Sequence, residues 1–356
     1  MSTDTAFVIG LGGAFVLLLV WGFTHLPREG WQFLAAVPLE RGADGQWRGL
    51  NLTYYGVFTA TALLVALLAF LFLLGAVGVS RWRALLVPVL VLGVALPAAR
   101  LLAWLVERKK HTFTVGGASF AGLLTAPLAI GLANALPGWS GPAGGLVPVV
   151  PALAALCTAY CFGEGTGRLA CISFGCCYGK PLADVGPLTR RLFAAIPFRF
   201  AGATRKIAYA AGWENTPVVP IQAVTAVVCL TLGLGGLALC LGGSFRAALL
   251  LTGVGSQLWR VASECLRADY RGGGRLSAYQ VMGLAAAVAI LALAAWPTGV
   301  LDRGRAAPDA LAGLNLLWDP ALILLLQALW LTYFLHTGRS TVTGSVLSFH
   351  VRHERV

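Results

Sequence analysis

Residues 52–78, LTYYGVFTATALLVALLAFLFLLGAVG, run from end to end without a charged side chain. A helix rises 1.5 Å per residue, so about 20 apolar residues cross a bilayer core of about 30 Å. This stretch is long enough to do so and has no polar face to offer water. Eight more stretches read the same way: 6–26, 83–105, 116–137, 145–165, 221–243, 246–264, 276–296 and 314–337. The expectation is an all-α integral membrane protein, a bundle of about nine transmembrane helices forming one polytopic domain over residues 1–356.

Composition agrees. The chain is 58% hydrophobic and 11% charged, with mean hydropathy +0.79, whereas a soluble domain carries about 25% charged residues. The first stretch has no Lys or Arg ahead of it and no small-residue cleavage site after a short apolar core, so it reads as a span rather than a removed signal peptide. With 17 Pro and 44 Gly, kinked and closely packed helices are expected, since lipid tolerates both where neighbours satisfy the freed backbone groups. A net charge of +12 points to anionic lipid head groups as partners. No nucleic-acid-binding module is present.

With nine spans, most Lys and Arg fall on one set of alternate connections. The other set holds only Arg81, Arg83, Arg246, Arg303 and Arg305. By the positive-inside rule the N-terminus is outside and the C-terminus cytoplasmic. The connection 166–220 is long enough to be a small polar head, whose basic residues can serve a substrate instead of orientation.

Ionisable groups inside spans are costly and face a bundle interior or a wet cavity. They include Arg100, Glu164, Arg260 and Glu264. Ser256, Arg260, Glu264 and Arg267 are spaced by 4, 4 and 3, which puts them on one helix face. Read functionally, the stripe is a guanidinium pocket for a phosphate; read structurally, it is an Arg and Glu pair at the mouth of the bundle. Glu164 and Arg168 stand four apart in FGEGTGRL (162–169), where three glycines permit close backbone approach.

Five of the eight cysteines lie between Cys157 and Cys177. Their spacing does not reproduce paired CxxC knuckles and no His lies among them, so no metal is expected. Cys171, three residues after Arg168, is the candidate nucleophile, because a cation favours thiolate. A disulfide from Cys171 to Cys176 or Cys177 is the structural alternative. Cys157, Cys161, Cys229, Cys240 and Cys265 read as packing residues. His25, His111, His336, His350 and His353 are scattered and receive no role.

The stretch GRLACISFGCCYG (Gly167 to Gly179) resembles the GRxGNFINxExxG signature of bacterial prolipoprotein diacylglyceryl transferases, aligning without a gap. Further landmarks follow in the family's order over residues 50–296. Tyr54, Tyr55 and Gly56 resemble its aromatic opening, Ala99 to Leu101 its ARL element, and GGASFAG, Gly116 to Gly122 with Gly117 and Ser119, its GGxSFHG turn. Pro220, Ile221 and Gln222 resemble its PxQLYE helix start without the LYE, RVASECLR (Arg260 to Arg267) its RxxxExxR helix, and LSAYQ, ending at Gln280, its xSxGQ element. Ala121 replaces the family His, Cys171 its Asn, Cys176 its acid, and Ser256 a Tyr.

The resemblance implies a seven-helix core over 50–296 with one extra helix at each end and a head at 166–220. It implies a divergent paralogue in the bacterial cytoplasmic (inner) membrane that uses phosphatidylglycerol or another anionic phospholipid, without a cofactor. Arg168 and Arg260, helped by Glu264 and Cys171, would act on the head group. Arg100, Tyr55, Gly116, Gly117, Ser119, Glu164, Gly167, Gly179, Gln222, Ser256, Arg267 and Gln280 would line the site. The expected activity is transfer of a diacylglyceryl group to a lipoprotein Cys or a small-molecule acceptor. The alternatives are a thiol oxidoreductase or sensor using Cys171, Cys176 and Cys177, and a lipid-binding or transport protein without chemistry.

Overall fold

The computed structural model describes residues 3–107, 115–136, 146–269, 276–295, 307–340 and 346–347. Among the described residues, eight helices are long and apolar enough to cross a membrane: α1 (Thr3–His25), α2 (Tyr54–Ala76), α3 (Arg81–Glu107), α4 (Val115–Ala135), α5 (Val149–Phe174), α8 (Ile221–Leu241), α11 (Ala278–Ala295) and α13 (Pro320–Thr337). The chain is a multi-pass membrane protein built mostly of helix.

The bundle is organised around α5. Its apolar window is 72% buried inside the protein, against 17% for α1 and for α13, so α5 is the axis and those two are peripheral. It packs between α2 and α8. A Cβ at Gly165 would lie 2.7 Å from Leu230 Cγ and 3.1 Å from the Ala226 carbonyl. Only glycine lets α5 and α8 approach this closely, which replaces the hydrophobic effect as the source of cohesion in lipid.

The segment expected as a uniform span at 246–264 is an interrupted helical run. Helix α9 (Phe245–Leu249) passes through a π-helical turn (Leu250–Val254) into α10 (Gly255–Glu264). Such wide turns rotate the side chains that follow and recur at functional sites. Here the turn precedes Ser256, Arg260 and Glu264.

Four further departures from the expected architecture stand out. Residues 33–53 form an antiparallel hairpin, β1 (Phe33–Arg41) and β2 (Trp47–Thr53), extended to four strands by β3 (Arg339–Ser340) and β4 (Val346–Leu347). The all-α expectation is corrected to that extent. The hairpin reverses through Gly42 to Gln46, where Asp44 Oδ1 accepts from the Gln46 N–H at 3.1 Å and Gly45 takes φ +77°, an Asp-Gly turn chemistry visible in the sequence. Second, α5 continues to Phe174, so Arg168 and Cys171 belong to a helix and the head begins at Gly175. Third, the last span starts at Pro320, with Asp319 Oδ1 accepting from the N–H groups of Ala321 and Leu322, and α12 (Ala310–Leu317) is a separate short helix. Fourth, the head contains two short helices, α6 (Pro187–Phe193) and α7 (Lys206–Ala211), with Val218 bridged to Pro181 and Phe198.

Candidate functional site

A small polar hollow, with room for about one water molecule, opens among α5, α8 and α10. Helix α5 supplies Tyr160, Glu164 and Arg168, a four-residue repeat that keeps all three on one face. Helix α8 supplies Thr225 and Cys229. Ser256, Trp259, Arg260, Ser263 and Glu264 come from α10, with Arg267 just beyond it.

Glu164 is the electrostatic centre. Its Oε1 accepts from Arg168 Nη2, and Arg260 Nη2 stands 3.9 Å from the same oxygen. Arg260 also donates to the Tyr160 hydroxyl. Side-chain exposures of 12% for each arginine and 7% for Glu164 make this a buried ion triad rather than a surface pair. Removing one partner then leaves an uncompensated charge. Arg260 Nε is buried and has no hydrogen-bond partner among the described residues.

Beyond the end of α10, Arg267 donates from Nε and Nη2 to the two carboxylate oxygens of Asp269 at 2.9 and 2.8 Å, a two-pronged geometry that fixes the guanidinium plane. Glu264 lies 3.8 Å from Arg267. Trp259 Nε1 donates to Thr225 Oγ1 at 3.2 Å, tying α10 to α8.

Helix α4 reaches the site through Gly116, where a Cβ would fall 2.8 Å from Arg260 Nη1 and 2.8 Å from Tyr279 Cδ1. Ser119 donates to the Gly116 carbonyl at 3.1 Å, and Gly117 lies between them on the same turn. Ser256 lines the hollow while its hydroxyl donates to the Gly253 carbonyl at 3.0 Å.

Other expected site residues lie elsewhere. Arg100 is exposed on α3 and does not line the hollow; its helix meets α4 through Val91 and Ala95. Gly167 faces Ala62 of α2, where a Cβ would make ordinary contact at 3.5 Å. Gly179 sits against the Val219 carbonyl, 2.3 Å from where a Cβ would be, and bridges to Arg267. Gln222 donates to the Cys176 carbonyl at 3.0 Å. Gln280 caps α11, accepting from the Ser277 N–H at 2.9 Å and donating to the Val261 carbonyl at 3.1 Å. Tyr55 packs edge-on against Phe174, with ring centroids 5.6 Å apart.

Cys171 does not line the hollow either. Helix α5 stops at Gly175, in the left-handed conformation with φ 71°, and the Cys176 N–H returns to the Cys171 carbonyl at 3.1 Å. Cys177 also adopts positive φ, 56°. This turn folds the chain back over its own helix end, leaving the sulfurs of Cys171, Cys176 and Cys177 within 4.8 Å of one another. No cysteine forms a disulfide. Hydrogen bonding to Cys171 and Cys177, with burial, pushes the Cys176 thiol well above its ordinary pKa. Of the expected packing cysteines, Cys265 is exposed.

Sequence reading missed Tyr160, Thr225, Trp259, Ser263, Cys229 and Asp269. The four-residue spacing of Tyr160 from Glu164 was the one available signal. It also missed Arg205, which is 1% exposed. That guanidinium donates to the carbonyls of Ile172 at 3.2 Å and Ser173 at 2.5 Å, closing the C-terminus of α5, and to those of Arg28 and Ala201. Burial pushes its pKa down to about 10. No protein-family model, curated protein or solved structure matches this chain.

Proposed function

We propose that the protein is a phospholipid-dependent transferase in which Arg168 and Arg260 hold the phosphate of phosphatidylglycerol or another anionic lipid. The observation that carries this reading is the meeting of two guanidinium groups from separate helices at one carboxylate oxygen, in a hollow among membrane-length helices. Arginine matches phosphate oxygens with several donors at once, and the unpartnered Nε of Arg260 offers one more. The resemblance of Gly167 to Gly179 and of Arg260 to Arg267 to the diacylglyceryl transferase pattern supports the same reading.

The reaction class is alkyl transfer. A thiol sulfur of the acceptor forms a bond to the terminal glyceryl carbon of the diacylglyceryl group as the bond from that carbon to the phosphate oxygen breaks. The thiol gives up its proton, the diacylglyceryl thioether forms, and glycerol phosphate leaves with the bonding electron pair. Both arginines stabilise charge collecting on the departing phosphate. Glu164, displaced from them by the phosphate, is the carboxylate placed to take the proton. Arg267 and Glu264 line the same hollow.

Incubation of the purified protein with labelled phosphatidylglycerol and a thiol acceptor tests this. Release of glycerol phosphate should occur with the wild type and be abolished by Arg168→Ala. Wild-type turnover in that variant would refute the assignment. Lipid that co-purifies and is recovered intact with every acceptor would instead favour a lipid-binding protein.

A further inference from the structure

The thiols of Cys171, Cys176 and Cys177 lie outside the arginine hollow, and the proposed lipid chemistry makes no use of them. Gly175 ends α5 and turns the chain back, so that one sulfur comes from the last helical turn and two from the residues after it. We infer that these three cysteines form an all-sulfur site for a monovalent soft metal ion, Cu(I), in three-coordinate geometry.

Three thiolates at about 2.3 Å from a common centre stand about 4 Å apart in a trigonal arrangement. The sulfurs are already within 4.8 Å of one another, so modest side-chain rotation closes the site. Donor softness selects the metal, since thiolates favour Cu(I) and disfavour magnesium, calcium and manganese. No His, Asp or Glu joins the group among the described residues, so a four-coordinate zinc site lacks its fourth protein ligand.

Three thiolates around one Cu(I) are net negative; Arg168 offsets part of that charge at Cys171 and Arg267 at Cys177, against the burial and neighbouring sulfurs that keep Cys176 protonated until the metal displaces its proton. Access and enclosure are both present, with Cys171 and Cys177 partly exposed and Cys176 buried. Loading is a ligand exchange. Three S–H bonds release their protons as three S–Cu bonds form, and copper stays monovalent with no electron transferred.

The test is competition for Cu(I), kept reduced with ascorbate, between the purified full-length protein in detergent and the chelator bicinchoninate. The wild type should withdraw one copper per chain, with X-ray absorption reporting three sulfur neighbours. Cys171→Ser, Cys176→Ser and Cys177→Ser should each lose this copper, while Cys265→Ser retains it. The inference is overturned if the wild type leaves the copper with the chelator. It is equally overturned if nitrogen or oxygen neighbours replace the sulfurs, or if a monodisperse triple Ser variant still holds the metal. The wild-type readings need no variant to fold and no lipid turnover, so they stand apart from the transferase assignment.

Discussion

Arg168 and Arg260, which sit on different helices and 92 residues apart in the chain, reach the same oxygen of one carboxylate, Oε1 of Glu164. The i to i+4 arrangement on α5 sets the first contact. The second exists only because α10, packed against α8 and α11, turns its polar stripe toward α5.

Glu164→Gln keeps the shape of the side chain and removes the charge between the two guanidinium groups. Breaking a buried ion network by deleting one partner costs about 3–5 kcal/mol. The detergent-solubilised variant should melt well below the wild type. An unchanged melting temperature would show the arginines to be compensated elsewhere.

Gly116→Val pushes a side chain into the space of Arg260 and Tyr279, each 2.8 Å from the new Cβ. Displacement of a binding group by about 1 Å can cost about 100-fold in rate. Turnover of labelled phosphatidylglycerol should therefore fall steeply while the protein still elutes as one species. Full turnover in that variant would show that Arg260 needs no help from α4.

Arg205→Met removes the guanidinium that closes α5 and leaves the Ser173 carbonyl without it, while the Ile172 carbonyl keeps the Gly175 N–H at 3.3 Å. Each buried acceptor left unsatisfied costs about 1–3 kcal/mol. Thermal melting should drop accordingly. Arg205→Lys should recover little, because an ammonium cannot span the same carbonyls.

Gly56→Ala sets a methyl group 2.2 Å from the Gly338 Cα, a backbone atom that cannot swing away. The start of α2 and the end of α13 must separate, at about 1–3 kcal/mol or more. Limited proteolysis should cut the variant after α13 faster than the wild type; equal rates would argue against the contact.

The Cys176 pKa is raised in the folded protein. A raised folded-state pKa stabilises below the unfolded-state value and is lost as pH climbs above it. The melting temperature of the metal-free protein should therefore decline above about pH 9, and less so in Cys176→Ala. Parallel declines in the two proteins would remove Cys176 as the cause.

The membrane-length helices were legible because lipid leaves one solution for a long uncharged run: every backbone group must be satisfied within the helix. Ser256, Arg260, Glu264 and Arg267 were legible as a stripe because helix periodicity alone fixes their common face. The hairpin at 33–53 carried an Asp-Gly turn, yet its strands pair with segments about 290 residues away, a relationship that local pattern does not encode. The expected span stopped at residue 165, whereas α5 runs on to Phe174 through Gly163, Gly165 and Gly167, where α2 and α8 come close.

By itself, the sequence determined that this chain crosses a bilayer several times and that a few ionisable groups had to find partners inside it, since both follow from the cost of polar atoms in hydrocarbon. Only the tertiary structure decided which groups those partners were. Glu164 gathers Arg168 and Arg260 while Arg100 stays outside, and Cys171 turns to Cys176 and Cys177 rather than to the hollow. Those pairings depend on how helices cross and where glycines let them approach, a matter of packing in three dimensions that no spacing along one helix can specify.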